Sequence, residues 1–218
     1  MKKRYIDEVY KDEVSDAEVW EKLRAGDIRA LKTLFLRHHI HLYNYAVKLS
    51  GDCHLADDCV HDLFFRIWER RAYVGKVQSV KAYLWVSLRR NLLKAMNGNG
   101  QEVLTDNILE YAHMAQQVES GIQFSPEEFI IRSEKKSEYT IALAKALNHL
   151  PSRQREAIYL KYFNGMGYDE MEEIMSVSYQ TARNYVYDGI QSLKKHFQDE
   201  SEKLIPYVLL TVLFCLLG

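Results

Sequence analysis

Apolar side chains recur at helical spacing along most of the chain, and this periodicity limits the fold more than any other feature. In the stretch 54–71 they come in pairs at four-residue intervals, which places them on one face of a helix. The pairs are Leu55/Ala56, Cys59/Val60, Leu63/Phe64 and Ile67/Trp68. With three prolines in the chain and few stretches of alternating apolar and polar residues, the sequence predicts an all-α fold.

Capping and breaking residues divide this pattern into helices. Ser15 and Glu18 form a Ser-x-x-Glu capping box, which predicts the start of the first helix. A helix from Val80 to Met96 follows the last of three predicted breaks. These breaks are Ala-Gly-Asp at 25–27, Ser-Gly-Asp at 50–52 and a loop at about 72–80.

Composition changes twice along the chain and predicts two helical domains joined by a linker. The linker is acidic, has an Asn-Gly-Asn-Gly start and includes a possible helical patch at 106–118. The predicted organisation is an N-terminal extension at 1–17, a first domain at 18–96, the linker at 97–136, a second domain at 137–197 and an apolar tail at 198–218.

Charge is distributed unevenly, although the formal net charge of the 218 residues is only −1. The stretch 66–94 holds eight basic residues and one acidic residue, whereas 97–136 holds seven acidic and three basic residues. Such a basic block is typical of a surface that binds nucleic acid. The odd number of cysteines and the lack of a secretory signal predict reduced thiols and a cytoplasmic location.

The second domain contains helix-turn-helix spacing. Tyr-Asp-Glu-Met-Glu-Glu-Ile-Met predicts a short helix, Ser-Val-Ser at 176–178 a tight turn, and the residues after it a longer helix. The predicted core row of that helix is Ala182, Val186, Ile190, Leu193 and Phe197. The residues predicted to contact duplex DNA are Ser178, Tyr179, Gln180, Thr181, Arg183, Asn184 and Tyr187. The alternative is a helical hairpin with a solvated outer face.

The helix 80–96 and the loop before it combine cations with aromatic rings. Cations can follow the backbone of a single strand while rings stack on unpaired bases. The residues predicted to form this surface are Tyr83, Arg90 and Lys94 on the helix and Tyr73, Lys76 and Lys81 in the loop. The alternative is an ordinary charged helix face.

The helix 54–71 has a polar face with an aromatic residue beside it, which indicates a surface for a protein partner. This face carries Asp57, Asp58, His61, Asp62, Arg66 and Glu69, with Phe65 near it, and the alternative is one exposed aromatic residue, which is common. Cys53, His54, Cys59 and His61 raise the question of a metal site, but their spacing fits one poorly and a core cysteine is favoured. No metal site, cofactor or catalytic residue is predicted.

The combination resembles a sigma factor of the sigma-70 family, in the extracytoplasmic-function (ECF) group. "ADDCVHDLFFRIW" resembles the helix of region 2 that docks on core RNA polymerase, and "KAYLWVSLRRN" resembles the helix that handles the minus-ten element. The first resemblance implies polymerase contacts by Asp58, His61, Asp62, Phe65 and Arg66, and the second adds Trp85, Arg89 and Asn91 to the predicted minus-ten surface. "LNHLPSRQREAIYLKYFNGMGYDEMEEIMSVSYQTARNYVYDGIQSLKK" resembles region 4, which reads the minus-thirty-five element. The resemblance covers about 18–96 and 137–197.

Three positions depart from the family pattern. His61 stands where Gln is usual, the run Arg89-Arg90-Asn91 stands where Arg-Asn is usual, and Ser176 stands where the turn usually has Gly. These differences put one polymerase contact in doubt, leave open which arginine corresponds to the family's, and suggest a slightly different turn.

The resemblance implies a transcription initiation factor and not an enzyme. Such a protein would bind core RNA polymerase and promoter DNA, recognise the minus-thirty-five and minus-ten elements and help to open the DNA, and an anti-sigma factor would be a further partner. The alternatives are a helix-turn-helix regulator that binds duplex DNA without polymerase, an adaptor protein with a membrane-seeking tail, and a metal enzyme built on the Cys/His cluster.

The apolar tail lies outside the resemblance. As a helix, the stretch 204–217 would be about 21 Å long, which is short of the roughly 30 Å hydrocarbon core of a bilayer. Packing on the chain's own domains, binding to a regulator such as an anti-sigma factor, and placement in a membrane interface all remain open. A tail that covers the DNA-binding faces would be autoinhibitory.

Overall fold

The computed structural model describes residues 14–96, 121–129 and 138–200, and the chain divides into two compact units between Asp106 and Asn107. Every regular element among the described residues is helical, which confirms the predicted all-α fold. Helices were predicted because apolar residues recur at the helical period, and one-sided burial is what this period produces.

The described residues of the first unit, 14–96, contain four helices whose ends agree closely with the predicted breaks. Their bounds are α1 (Asp16–Arg24), α2 (Ile28–Ser50), α3 (Cys53–Glu69) and α4 (Val80–Met96). The capping box at the start of α1 is confirmed, because Glu18 N donates to Ser15 Oγ over 3.3 Å and Ser15 N donates to Glu18 Oε2 over 3.1 Å. A left-handed Gly51 ends α2.

The core of the first unit lies between α4 and the three helices that pack against it, α1, α2 and α3. The predicted apolar stripe of α3 is confirmed, since its six central members are buried and only Leu55 and Trp68 are half-buried. Packing from three directions leaves α4 with eight buried residues among its 17. Part of α4 is therefore interior even where its sequence is polar.

In the part of the second unit that the structure describes there are four α-helices and two short helical turns. Their bounds are a 3-10 turn at Pro126–Phe129, α5 (Glu138–His149), α6 (Ser152–Ile158) with a π turn at Tyr159–Phe163, α7 (Tyr168–Met175) and α8 (Tyr179–Glu200). The helix α8 packs on α6, α7 and α5. Both helices of the helix-turn-helix therefore begin and end close to where the sequence placed them.

Residues 121–129, which the sequence assigned to the linker, pack on the second unit. Asn148 holds Phe124 by two hydrogen bonds, accepting from Phe124 N over 2.8 Å and donating to Phe124 O over 2.9 Å. The Phe124 ring lies 5.1 Å from that of Phe163, and Ile122 is fully buried. Ile122 and Phe124 anchor this segment, but they were not recognised in the sequence because the residues around them are mostly polar.

Several predictions concern residues outside the described part of the chain. They are the N-terminal residues 1–13, the possible helix at 106–118 and the apolar tail beyond residue 200. Within the described part, none of the helices is both long and apolar enough to cross a membrane.

Candidate nucleic-acid interface

The turn between α7 and α8 sets how α8 begins. Ser176 adopts the left-handed conformation, with φ 53° and ψ 50°, and ends α7 by donating its backbone N–H to Glu172 O. Glycine favours this conformation because it lacks a Cβ. The serine has thus taken over the geometry that a glycine gives, and the turn expected from the sequence is retained at some cost in strain.

Ser178 caps α8, as the sequence predicted. Its hydroxyl accepts from Thr181 N over 3.1 Å and contacts Thr181 Oγ1 at 2.8 Å. An N-cap satisfies one of the free amides at a helix start, and the remaining amides and the positive end of the helix dipole favour an anion such as a DNA phosphate.

The early turns of α8 present the predicted DNA-contacting side chains to solvent. Gln180, Arg183 and Asn184 are exposed, and the rings of Tyr179 and Tyr187 are 42% and 61% exposed. Gln180 Nε2 donates to Asn184 Oδ1 over 2.8 Å, which holds two amides together on one face. Arginine and amide side chains in such a row have the geometry for base edges in a major groove.

The buried row of α8 differs from the predicted one at a single position. Ala182, Val186, Leu193 and Phe197 are buried, but Ile190 is only half-buried and Gly189 lies at the contact instead. A Cβ on Gly189 would come within 2.8 Å of Ile158 Cδ1. A side chain at this position would therefore require the buried Ile158 side chain to shift.

Two residues beside Tyr179 were missed from the sequence. The Tyr168 ring lies 5.7 Å from that of Tyr179 in an edge-on arrangement, and Lys161 Nζ lies 4.4 Å from the centre of the Tyr168 ring. Tyr168 is the first residue of α7 and Tyr179 lies on α8, so the sequence did not predict that their rings meet.

The predicted single-strand surface of the first unit is partly accessible. Ser79 caps α4 by accepting from Ala82 N over 3.1 Å. The loop residue Lys76 is exposed, and five residues of α4 are half-buried, so their side chains reach the surface from a packed helix. These five are Lys81, Tyr83, Arg90, Asn91 and Lys94.

Two predicted members of that surface are interior, and the prediction is corrected for them. Trp85 is 1% exposed with its ring 4.8 Å from the Tyr45 ring, and Arg89 is 0% exposed with Nη1 donating to Tyr45 Oη over 2.6 Å. Residues 85 and 89 are one helical turn apart, on the side of α4 that faces the other helices. In this structure neither side chain has surface available to DNA.

The loop before α4 carries another predicted member of that surface, Tyr73. Tyr73 is 90% exposed, the highest value among the large hydrophobic residues described as exposed. The loop is held by α1, since Trp20 Nε1 donates to Gly75 O over 3.2 Å and Arg24 Nε donates to Val74 O over 2.7 Å. A tryptophan and an arginine four residues apart were the only sequence signal of this contact.

The predicted partner-binding residues form one exposed face of α3. Phe65 is 58% exposed, and Asp58, His61, Asp62 and Phe65 line a shallow groove. Leu55, Cys59 and, from α4, Ala95 complete the lining. Arg66 Nη2 lies 3.0 Å from Asp62 Oδ2 at the edge of this groove. An exposed aromatic ring bordered by charged groups suits a protein interface.

The Cys/His cluster of α3 is dispersed in space. Cys53 is exposed and Cys59 is buried, while His61 is exposed on the polar face. Burial, with smaller contributions from Asp62 and Asp58, raises the pKa of Cys59 to about 11, so its thiol stays protonated near neutral pH. Across the described residues, no group of three or more His, Cys, Asp or Glu side chains is arranged to hold a metal ion.

Known families match both units. Residues 34–101 match Sigma-70 region 2, and residues 140–193 match Sigma-70, region 4. Together the two matches span more than half of the chain. The chain belongs to the sigma-70 family. Several of the curated proteins to which it is similar are ECF sigma factors.

Two curated sigma factors show how far this similarity extends. The ECF RNA polymerase sigma factor SigK of a Mycobacterium species (strain JLS) is 22% identical over 169 residues, which cover 77% of this chain and 83% of SigK. The RNA polymerase sigma-H factor of Pseudomonas aeruginosa is 22% identical over 193 residues, which cover 84% of this chain and 94% of that factor.

Two solved structures share the fold of this sigma factor. CnrH, in complex with the cytosolic domain of CnrY, has a TM-score of 0.54 at 18% identity, covering 85% of this chain and 99% of CnrH. The sigma factor RpoE of Bartonella quintana, in complex with the anti-sigma factor NepR, has a TM-score of 0.52 at 22% identity, covering 78% of this chain and 98% of RpoE.

Proposed function

We propose that this sigma factor uses three separate faces to initiate transcription. The exposed face of α3 binds core RNA polymerase, the outer face of α8 binds the minus-thirty-five element as duplex, and α4 with its preceding loop binds the minus-ten element as an opened strand. The observation that carries the proposal is that these faces are exposed on α3 and α8 and partly exposed on α4, while the opposite side of each helix is core.

The polymerase-binding role of α3 is supported by its chemistry. Phe65 supplies an exposed aromatic anchor, and Asp58, His61, Asp62 and Arg66 surround it with polar and charged groups. Buried aromatic anchors ringed by polar groups carry much of the free energy of protein binding. The Arg66–Asp62 pair orders both side chains before docking.

Duplex recognition by α8 is supported by its cap and its polar row. Ser178 and Thr181 lie at the helix start near the free amides, which suits a phosphate, whereas Gln180, Arg183 and Asn184 suit base edges. Tyr179 and Tyr187 extend this surface with exposed rings.

Strand opening by the first unit is supported by the accessible cations and rings near α4. Lys76, Lys81, Arg90 and Lys94 can follow the phosphates, and Tyr83 and Asn91 lie among them. Extruding a base costs a few kcal/mol, which contacts to the unpaired strand must offset. Trp85 and Arg89 act from the interior, by holding α4 in place.

The test is transcription in vitro with purified core polymerase and genomic DNA fragments, with start sites mapped in the presence and absence of this chain. We expect new, specific start sites that require Phe65 and that are lost when Arg90 and Lys94 are both changed to Ala. Lys32→Ala, at an exposed position of α2 outside the three faces, is the matched control. Tight duplex binding by the chain alone, with no new start sites, would favour a regulator that works without polymerase.

We further propose that the chain acts in the cytoplasm without catalysing a reaction. We also propose that an anti-sigma factor binds this chain. Support comes from the sigma factor RpoE, which was solved with the anti-sigma factor NepR. A candidate anti-sigma factor should displace the chain from core polymerase in size-exclusion chromatography. Simultaneous binding of all three proteins, with start-site selection unchanged, would contradict this part of the proposal.

A further inference from the structure

The loop between α3 and α4 is held by two side chains of α1. The indole N–H of Trp20 and the Nε–H of Arg24 donate to the carbonyl oxygens of Gly75 and Val74, at 3.2 Å and 2.7 Å. The donors are four residues apart and therefore project from the same face of α1, and the acceptors are consecutive. We call this pair, Trp20 and Arg24, the α1 clasp.

The α1 clasp also contacts α4. The Trp20 ring is 1% exposed and meets the Tyr83 ring edge-on, with 5.2 Å between their centres. One side chain thus touches both the loop and the helix proposed to bind the opened strand. Arg24 Nη1 also lies 2.7 Å from Glu21 Oε2 in a solvent-accessible ion pair, which contributes little to holding the loop.

The α1 clasp acts next to the most exposed ring of the loop. Tyr73 directly precedes Val74, and both residues donate their backbone N–H to Arg70 O, over 2.8 Å and 3.0 Å. This turn and the clasp fix the backbone on both sides of the Tyr73 side chain, which is 90% exposed. An exposed ring on a fixed backbone loses less entropy when a base stacks on it.

We propose that Trp20 and Arg24 are positioning residues that hold the loop against α4, so that Tyr73 and Lys76 meet unpaired bases beside Tyr83. This inference rests on the proposed role of the first unit in opening the minus-ten element. It concerns a helix outside the Sigma-70 region 2 match, which begins at residue 34. The α1 clasp sets the geometry of strand capture without touching the strand.

The test uses holoenzyme assembled from core polymerase and the full chain, and a fluorescent single strand that carries the mapped minus-ten element. Trp20→Phe keeps the buried ring but removes the donor, and Arg24→Met keeps the length of the side chain but removes its donors. Each change should weaken binding of the single strand by roughly threefold to tenfold, the ratio expected for one lost hydrogen bond. Core polymerase binding and minus-thirty-five duplex binding should not change.

Two control variants separate the loop contact from general loss of charge. Glu21→Gln removes the partner of Arg24 but leaves its bond to Val74, and Arg29→Met removes a cation whose side chain is 87% exposed. Both should bind the single strand within about twofold of wild type, as exposed substitutions usually do.

A double-mutant cycle distinguishes positioning of the loop from a general loss of stability. Tyr73→Ala should weaken strand binding, and adding Trp20→Phe or Arg24→Met to it should cause less loss than either change causes in the wild type, because the α1 clasp acts in part through Tyr73. Losses that add fully, or single variants that bind like wild type, would overturn the inference. If Trp20→Phe unfolds the unit, Arg24→Met decides alone.

Failure of the inference and failure of the proposed function give different results. Wild-type holoenzyme that produces no promoter-specific start sites would refute the proposed function before any variant is compared. Wild-type holoenzyme that selects start sites, with α1-clasp variants equal to it in strand binding, would refute only the positioning role.

Discussion

Helices α4 and α8 both carry cations and aromatic rings, but their units bury them to different extents. In α4, eight of 17 residues are buried, including one tryptophan and one arginine. In α8, the buried residues among 179–197 form a single row of Ala182, Val186, Gly189, Leu193 and Phe197. Five buried residues among 179–197 leave the polar face of α8 open to solvent, whereas eight among 17 leave only part of the polar face of α4 exposed.

The difference matters because the two helices are proposed to bind different forms of DNA. A duplex needs a protruding helix that fits a groove, and α8 has a continuous exposed face for this. An opened strand needs a fixed platform on which bases stack, and the packing of α4 supplies rigidity. The buried Trp85 and Arg89 fit that requirement, since they join α4 to Tyr45 of α2.

The largest expected effect compares an aromatic-to-alanine change in each helix. Trp85→Ala should lower the free energy of unfolding by about 3–5 kcal/mol, because a buried ring leaves a cavity. Tyr187→Ala, at a ring that is 61% exposed, should change it by no more than about 0.5 kcal/mol and should weaken duplex binding instead. Urea unfolding and fluorescence anisotropy with duplex DNA measure the two effects. Equal destabilisation by both changes would contradict the difference in aromatic burial between α4 and α8.

The second-largest expected effect concerns the polar contacts of Asp16, which we expect to stabilise the packing of the first unit. Asp16 Oδ2 lies 2.6 Å from His38 Nε2, and Asp16 Oδ1 lies 2.8 Å from Arg37 Nη1, which joins α1 to α2. Hydrogen bonds from His38 and then Arg37, against the opposing effect of burial, lower the pKa of Asp16 from 3.8 to about 2. Asp16→Asn should cost about 1 kcal/mol of unfolding free energy at pH 7, after allowance for solvent screening.

The sign of the pH dependence follows from the lowered pKa. The Asp16 contribution is fully present above its ordinary pKa of 3.8 and is lost as the pH falls through about 2. Unfolding curves of wild type and Asp16→Asn should therefore converge in strong acid. The exposed Asp188→Asn in α8 is the control and should stay within about 0.5 kcal/mol of wild type throughout. A difference that persists below pH 2 would exclude the ion-pair explanation.

The third effect concerns the single buried row of α8. A Cβ on Gly189 would lie 2.8 Å from Ile158 Cδ1 and 3.5 Å from Gln154 Cβ, and Ile158 is itself buried. Overpacking of about 1–3 kcal/mol should exceed the gain of about 1 kcal/mol in helix propensity, so Gly189→Ala should destabilise the second unit by about 1 kcal/mol. Thermal unfolding followed by circular dichroism measures the change.

A matched glycine in the first unit serves as the control. Gly75 has no heavy atom within 4 Å of the position that a Cβ would occupy, so Gly75→Ala should leave stability nearly unchanged. A stabilised Gly189→Ala protein would mean that α8 can move away from α6 and that its buried row is loosely packed.

The smallest effect is strain in the turn before α8. Ser176→Gly should stabilise the second unit by about 0.5 kcal/mol, because relief of a left-handed non-glycine residue exceeds the added entropy of the unfolded chain. Ser178→Ala should instead cost about 1 kcal/mol through loss of the N-cap. Differential scanning calorimetry resolves both changes, and a destabilised Ser176→Gly protein would show that the serine hydroxyl contributes to the turn.

The sequence by itself determined the helices, their order and the family. The capping box at Ser15, the breaks at 25–27 and 50–52, the helix from Val80 to Met96 and the turn at 176–178 are all local signals, and each is confirmed. Local signals suffice here because caps and turns are formed by residues that are neighbours in the chain.

Only the tertiary structure decided which polar side chains are interior and which segments belong to which unit. Arginine is usually found at the protein surface. Arg89 is nevertheless buried, because α4 is covered by helices that are far away in the sequence. Two other contacts also join residues that are distant in the sequence. The α1 clasp bonds loop residues that are 50 or more positions away, and Phe124 bonds Asn148, which is 24 positions away. Periodicity describes one face of one helix, whereas burial depends on everything that packs against it.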